Sequence, residues 1–270
     1  MIDAPFSNLQ SRIPQLPTWF WALLIFAVAL APRALALGSY VTPDEPNWVY
    51  RTLNFGAALA RGDWAATAQT SHPGVTTMWL GSLGIAAQRA VDPAGTADAI
   101  NWLSKIDRLS PENLEALRRV GVFLDWARLP VIVVNALGLV GVFLLASRLF
   151  NRASARLAAL LLALDPFFAG LQGLLHVDGL MTTFSTLSLL SLLLAIRSLQ
   201  HETHESPSSS LVTRHSLFVV RPSPFFWFGA SGAFAGLALL SKSPAIFLVP
   251  FGALALLAAL VARRLSARDA

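Results

Sequence analysis

The sequence contains no cysteine and few charged residues. Without cysteine, the chain can form no disulfide, no thiolate metal site and no cysteine nucleophile. Charged residues make up 13% of its 270 residues and hydrophobic residues 55%, with a mean hydropathy of +0.59. Soluble domains average about 25% charged and about 45–50% apolar residues. The composition therefore indicates an integral membrane protein.

The net charge of +5 does not by itself indicate a nucleic-acid partner. The arginines fall mostly beside apolar runs, where membrane topology and lipid headgroups account for them. We therefore expect membrane lipids as partners and no nucleic acid.

Six apolar stretches predict membrane spans. They cover approximately residues 18–37, 129–149, 155–175, 179–199, 225–240 and 244–262. The second span could extend backward as a helix from Glu112. The sequence thus predicts an all-α polytopic membrane protein with a transmembrane module over residues 18–264.

Arginines in the short loops predict the orientation of these spans. They follow the second, fourth and sixth spans: Arg148, Arg152, Arg156, Arg197, Arg214, Arg221, Arg263, Arg264 and Arg268. We therefore expect the tails 1–17 and 265–270 and the flexible, Ser- and Pro-rich loop 200–224 in the cytoplasm. The loop 38–128 is then expected on the outer face of the plasma membrane.

The outer loop contains two predicted amphipathic helices, over residues 45–61 and 74–89. The apolar stripe of the first comprises Val49, Leu53, Gly56 and Ala60, and that of the second comprises Val75, Met78, Trp79, Ser82, Leu83 and Ala86. Amphipathic helices of this kind lie in the membrane interface.

An adjacent acid pair, Asp44 and Glu45, follows the first span. The segment from Thr42 to Glu45 has the pattern of a capping box, with Thr42 at N-cap, Pro43 at N1 and Glu45 at N3. Neighbouring helical residues point about 100° apart, so one acid can serve the helix terminus while the other faces a cleft. We expect Asp44 to face the cleft. The alternative is that both acids only cap the helix.

Other polar residues have structural interpretations when each is taken alone. The dipeptide at His72 predicts a turn, and Asp178 would be favoured by the helix dipole at the start of the fourth span. Lys242 and Arg33 could be interface anchors. None of these signals is specific by itself.

The order of the motifs resembles the amino-terminal half of glycosyltransferase family 39. These are membrane enzymes of the GT-C fold that include dolichyl-phosphate-mannose protein mannosyltransferases and bacterial lipid A aminoarabinose transferases. The resemblance runs from Thr18 to Leu260 through an Arg at the end of the first span, DEPNWVYRTLNFGAALARGDW, SHPGVTTMWLGSLG, LALDPFFAGLQGLLHVDGLMTTFSTLSLL and AGLALLSKSPAIFLVP. Because members of the family continue beyond this point, we expect the chain to correspond to an incomplete amino-terminal half.

The resemblance implies inverting transfer of a sugar from a polyprenyl-phosphate donor to an acceptor hydroxyl of a protein, lipid or glycan. By position, Asp44 resembles the family's catalytic acid, with Glu45 beside it. His72 and Lys242 match residues at the donor phosphate, and Arg33 is expected to join them. Further site candidates are Asp178, His176 and Asp165. We expect no cofactor and no metal, since the lipid-linked sugar is a substrate.

Two positions depart from the family pattern. Gly74 stands where members often have a second proline after the His/Lys-Pro dipeptide, and Asp165 stands where a small hydroxyl residue is common. An acid as deep in the membrane as Asp165 needs a partner. The alternative function is a non-enzymatic membrane protein, such as a transporter half or an assembly subunit, in which ionisable residues and broken helices would lie near the membrane midplane.

Overall fold

The computed structural model describes residues 16–71, 73–105, 114–202 and 222–266. Within these ranges the helices are α1 (Thr18–Leu35), α2 (Glu45–Arg61), α3 (Val75–Val91), α4 (Pro93–Leu103), α5 (Leu114–Leu149), α6 (Arg152–Leu164), α7 (Pro166–Gln172), α8 (Val177–Glu202), α9 (Pro224–Ser241) and α10 (Leu248–Ser266), with 3₁₀ turns at Ala65–Thr67 and Ser243–Phe247. No strand occurs in the described ranges.

Five helical stretches are long and apolar enough to cross a membrane: Thr18–Leu35, Arg118–Leu149, Val177–Gln200, Pro224–Ser241 and Ser243–Ala262. A sixth span requires that α6 and α7 count together as one. The prediction of an all-α polytopic membrane protein is confirmed. The predicted cytoplasmic tails and the loop 200–224 lie largely outside the described ranges.

The predicted third span, residues 155–175, is not one continuous helix. It consists of α6 and α7, which are bent by 69° relative to each other. Pro166 takes the first position of α7, and its ring and missing N–H prevent α6 from continuing. The exposed side chain of Asp165 caps α7 by accepting the N–H of Phe168 over 2.6 Å. The backbone of α7 is thus the partner that this acid requires.

Helix α5 is long enough to extend beyond the membrane. It contains 36 residues, whereas about 20 residues at about 1.5 Å each cover the roughly 30 Å of hydrocarbon. If Leu149 marks one boundary, the part of α5 before residue 129 rises past the other. This part carries Asp125 and Arg128. Both residues therefore lie outside the hydrocarbon, at the level of the segment between α1 and α5 that contains α2, α3 and α4.

Small residues allow α5 to approach its neighbours closely. A Cβ atom on Gly84 of α3 would overlap the carbonyl oxygen of Trp126, and one on Gly138 would overlap the side chain of Thr183 in α8. The contact at Gly138, within the span, is typical of helices in lipid, where apolar burial contributes little to association. Helix α3 packs through its small residues, and two large residues of its predicted apolar stripe, Trp79 and Leu83, are exposed.

A buried polar network joins α1, α5, α7 and α8. Arg33 Nη2 donates to Gln172 Oε1 (2.5 Å), and Gln172 Nε2 donates to Thr183 Oγ1 (2.9 Å). The Thr183 hydroxyl donates to Asn135 Oδ1 (2.8 Å), while Asn135 Nδ2 donates to the Gln172 carbonyl (2.9 Å). All four side chains are buried. The network satisfies polar groups that lipid could not solvate, including a carbonyl at the end of α7.

Candidate active site

The helix that follows the acid pair begins later than the capping pattern predicts. Asp44 occupies the N-cap position of α2, and Pro46, not Pro43, lies in its first turn. The Glu45 carboxylate still reaches back, because its Oε2 accepts the N–H (2.9 Å) and the hydroxyl (3.0 Å) of Thr42. The prediction of Thr42 as N-cap is therefore wrong in register, although the side-chain contact of a capping box is present.

Glu45 is completely buried and bound to Arg128. Arg128 Nε donates to Oε1 (2.7 Å) and Nη2 to Oε2 (2.6 Å), and the backbone N–H of Leu175 donates to Oε1 (2.9 Å). With the two bonds from Thr42, the carboxylate accepts five donors, which exceeds its roughly four lone-pair positions. It therefore has no free position for a substrate hydroxyl.

The electrostatics of Glu45 follow from these contacts. Burial alone would raise its pKa, but the hydrogen bond from Arg128, the N–H groups of Thr42 and Leu175 and the charge of Arg128 outweigh that effect. The pKa of Glu45 consequently lies below its ordinary value of 4.5. The group stays ionised at neutral pH as half of a buried ion pair.

Asp44 is exposed, in contrast to its neighbour. Its side chain is 72% exposed, and its Oδ2 lies 3.6 Å from Nε2 of His176. Nδ1 of His176 lies 3.4 Å from Oδ2 of Asp178, and Asp178 Oδ1 accepts a hydrogen bond of 2.5 Å from Lys242 Nζ. The structure thus brings four of the predicted site residues into one line, from the start of α2 across the start of α8 to the end of α9.

Aromatic and hydroxyl contacts hold this line in place. The buried Trp48 indole and the His176 ring form a T-shaped pair with centroids 6.2 Å apart, and the Arg51 guanidinium lies 4.6 Å from the centre of the same indole. Next to Lys242, the hydroxyl of Ser241 is 2.7 Å from that of Thr76. This hydrogen bond joins α9 to the first turn of α3.

His72 lies outside the described residues, so its predicted contact with the donor phosphate stays a prediction. Its neighbour Gly74 explains one departure from the family pattern. A Cβ atom at Gly74 would overlap the Trp48 indole, so a second proline at this position is incompatible with the observed packing.

Arg33 and Asp165 do not belong to the line. Arg33 is 1% exposed and belongs to the buried polar network, where Nη1 also donates to the carbonyls of Ala29 (2.5 Å) and Ala163 (3.3 Å). Its Nε has no hydrogen-bond partner among the residues that the structure describes. With Tyr40 and Arg128, it lines a separate cavity of about 320 Å³. Any phosphate contact of Arg33 would therefore be made in this cavity.

Arg128 is the residue that sequence reasoning missed. Besides Glu45, it binds the backbone carbonyl of Tyr40 (2.9 Å). Its only signal in the sequence is its position directly before the apolar run of the second span. Arginines at membrane boundaries commonly occupy such positions, so this one did not stand out. Within the described ranges, no three His, Asp or Glu side chains are grouped so that they could hold a metal ion.

Residues 119–204 match the sequence family described as dolichyl-phosphate-mannose-protein mannosyltransferase. The matched segment covers most of α5, all of α6 and α7 and the length of α8, and it includes Arg128, His176 and Asp178. No curated protein and no solved structure matches the chain. The match covers less than half of the chain, so from α5 to α8 this chain is similar to that mannosyltransferase family, and its helical membrane architecture agrees with the resemblance to glycosyltransferase family 39 of the GT-C type.

Proposed function

We propose that the protein transfers a sugar from a polyprenyl-phosphate donor to an acceptor hydroxyl at the outer face of the membrane, with Asp44 as the general base. The family match supports glycosyl transfer and suggests the class of donor. The observation that carries the proposal is that the two adjacent acids have different environments. Glu45 is fully occupied by protein donors, whereas Asp44 is exposed beside His176.

In the proposed reaction, the carboxylate of Asp44 takes the proton of the acceptor hydroxyl. The hydroxyl oxygen attacks the anomeric carbon from the side opposite the phosphate. The bond between that carbon and the phosphate oxygen breaks, polyprenyl phosphate leaves, and the configuration inverts. A positioned general base typically contributes about 10²–10⁴-fold to such a step.

Lys242 and His72 are the proposed contacts of the leaving phosphate, on which negative charge develops. The ammonium of Lys242 donates one hydrogen bond to Asp178, which leaves two of its three donors for a phosphate. Asp178 is then a positioning residue for Lys242. His176, between the two aspartates, is a positioning residue for Asp44.

A transporter is the second candidate, because two observations favour it. The bent pair α6 and α7 and the buried Arg33 resemble the broken helices and intramembrane charges of secondary transporters. The line from the exposed Asp44 to the half-buried Lys242 instead supports the glycosyltransferase, for which it supplies a base and a phosphate contact.

The proposal is tested with polyprenyl-phosphate mannose carrying tritiated mannose, supplied to membranes that contain the full-length protein. We expect label to move to the protein, lipid or glycan fraction as polyprenyl phosphate is released. Lys242→Met should raise the donor concentration needed for half-maximal rate by about tenfold, since a charged hydrogen bond contributes about 1.5–3 kcal/mol.

Lys105→Met is the matched control, because this exposed lysine lies at the end of α4, outside the line. Its half-maximal donor concentration should equal that of the wild type. Equal effects of the two lysine variants would contradict the role of Lys242. If no polyprenyl-phosphate sugar were consumed and labelled solute entered vesicles instead, the transporter would be favoured.

A further inference from the structure

A long apolar groove opens between α5, α8 and α9, at the opposite end of these helices from the candidate active site. Its volume is about 580 Å³. It follows α5 from Val134 to Arg148, a rise of about 21 Å at about 1.5 Å per residue. This length is about two-thirds of the roughly 30 Å of membrane hydrocarbon.

Close helix packing forms the floor of the groove. Gly138 and Gly141 of α5 face Thr183 and Leu187 of α8, and a Cβ atom at Gly141 would lie 2.8 Å from the Leu187 side chain. Aromatic residues of α9, among them Phe226 and Trp227, form one wall. The surface is thus concave and made largely of hydrocarbon, which suits a flexible acyl chain.

One end of the groove is cationic. Among the described residues that line it, Arg148 alone is charged, and its guanidinium lies 5.5 Å from the centre of the Trp227 ring. Arg197 donates to the backbone carbonyls of Arg148 (3.1 Å) and Leu149 (2.8 Å), which places a second guanidinium at the carboxyl end of α5. Neither arginine forms an ion pair with any acid whose side chain the structure describes.

We propose that this groove binds one acyl chain of an anionic phospholipid, whose phosphate contacts Arg148 and Arg197. The arginines provide charge complementarity to the phosphate, and the apolar groove accommodates the chain. A zwitterionic phospholipid carries the same phosphate together with a cation that the arginines would repel, so the site should discriminate by headgroup charge. The positive-inside rule puts this end in the cytoplasmic leaflet, where anionic lipids are enriched in many membranes. The inference does not depend on glycosyl transfer.

The headgroup half of the proposal is tested by native mass spectrometry of the full-length protein. The protein is incubated with equal amounts of palmitoyl-oleoyl phosphatidylglycerol and palmitoyl-oleoyl phosphatidylcholine, which have identical chains. We expect phosphatidylglycerol to be retained over phosphatidylcholine by at least about fivefold, the effect of one basic residue near an anionic headgroup. Arg148→Gln should remove most of that preference, whereas Arg89→Gln on the exposed face of α3 should leave it unchanged.

The acyl half is tested by filling the groove without changing its charge. Ala230→Phe places a ring in the groove and should abolish phosphatidylglycerol retention, whereas Leu257→Phe on the exposed face of α10 is the control. In the wild type, phosphatidylglycerol with brominated chains should quench the fluorescence of Trp227, as judged against Trp227→Phe. Equal retention of both lipids would overturn the proposal, and so would retention by Ala230→Phe or the absence of Trp227 quenching.

Discussion

Arg128 and Glu45 form a bidentate pair across 83 residues of sequence, with Nε 2.7 Å from Oε1 and Nη2 2.6 Å from Oε2. Both side chains are buried, with 2% and 0% exposure. The pair ties the start of α2 to α5, and the N–H of Leu175 adds the segment before α8. It thereby fixes the backbone from which Asp44 and His176 extend toward each other.

Removing Arg128 should destabilise the protein strongly. Arg128→Met leaves the buried Glu45 carboxylate without its cation, which typically costs about 3–5 kcal/mol. Arg119→Met is the control, because it breaks an exposed ion pair with Glu115 of about 0–1 kcal/mol. Chemical unfolding in detergent measures both.

Adding Glu45→Gln to Arg128→Met should recover part of the loss, because no buried charge is then left unpaired. A loss no greater in Arg128→Met than in Arg119→Met would mean that the pair contributes little to stability.

Stability should fall in acid through Glu45. Its folded-state pKa is lowered below the ordinary 4.5, so the unfolded chain binds this proton more readily than the folded chain. The contribution to stability is complete above about pH 4.5 and is lost as pH falls through the lowered pKa. Between pH 7 and pH 3, the Tm of the wild type should drop more than that of Glu45→Gln. Parallel curves for the two proteins would refute this assignment.

Two glycines should respond to alanine in opposite directions. At Gly84, the added Cβ would overlap the carbonyl oxygen of Trp126, so α3 and α5 must separate, at a cost of about 1–3 kcal/mol. At Gly121, within α5, no atom of the described part of the chain lies within 4 Å of the added Cβ, and alanine should stabilise the helix by about 0.4–1 kcal/mol. Thermal unfolding of both variants tests the close contact of α3 with α5, and equal effects would exclude it.

The predicted orientation can be measured directly, because the chain has no cysteine. Single cysteines at Ser104, Ser154 and Ser208 are exposed to a membrane-impermeant maleimide in intact cells. We expect labelling at Ser104 only, since the predicted outer loop contains this residue and the other two lie in predicted cytoplasmic segments. Labelling at Ser154 or Ser208 without labelling at Ser104 would invert the topology.

Much of the helical pattern could be predicted, because long apolar stretches and turn residues are local signals. The bend at Asp165 also had a local signal, since an acid before a proline combines an N-cap with a residue that cannot continue a helix. One continuous span was nevertheless predicted, because the sequence is hydrophobic on both sides of Asp165. Similarly, the hydrophobic pattern of α3 does not predict which face packs against its neighbours. Small and polar residues pack inward on this helix, whereas the apolar Leu83 is exposed.

The partners of the site residues could not be predicted, because they are distant in sequence. Nothing in the local sequence links Glu45 to Arg128, or Gln172 to Arg33, which is 139 residues away. By contrast, Asp44, Asp178 and Lys242 were predicted as site residues from the family resemblance and His176 as a further candidate, and the four lie together in the structure. Their chemical roles stay predictions.

The most direct test compares turnover of polyprenyl-phosphate sugar by Asp44→Asn and Glu45→Gln in the full-length protein. If Asp44 is the base, Asp44→Asn should reduce turnover about 10²–10⁴-fold while donor binding and thermal stability stay near wild type. Glu45→Gln keeps a side chain of the same shape in its buried site, so it should reduce stability more than it reduces turnover by the molecules that remain folded. Turnover that survives Asp44→Asn but collapses in folded Glu45→Gln would reverse the two roles, and unchanged turnover in both would leave the pair as structural residues of the helix start.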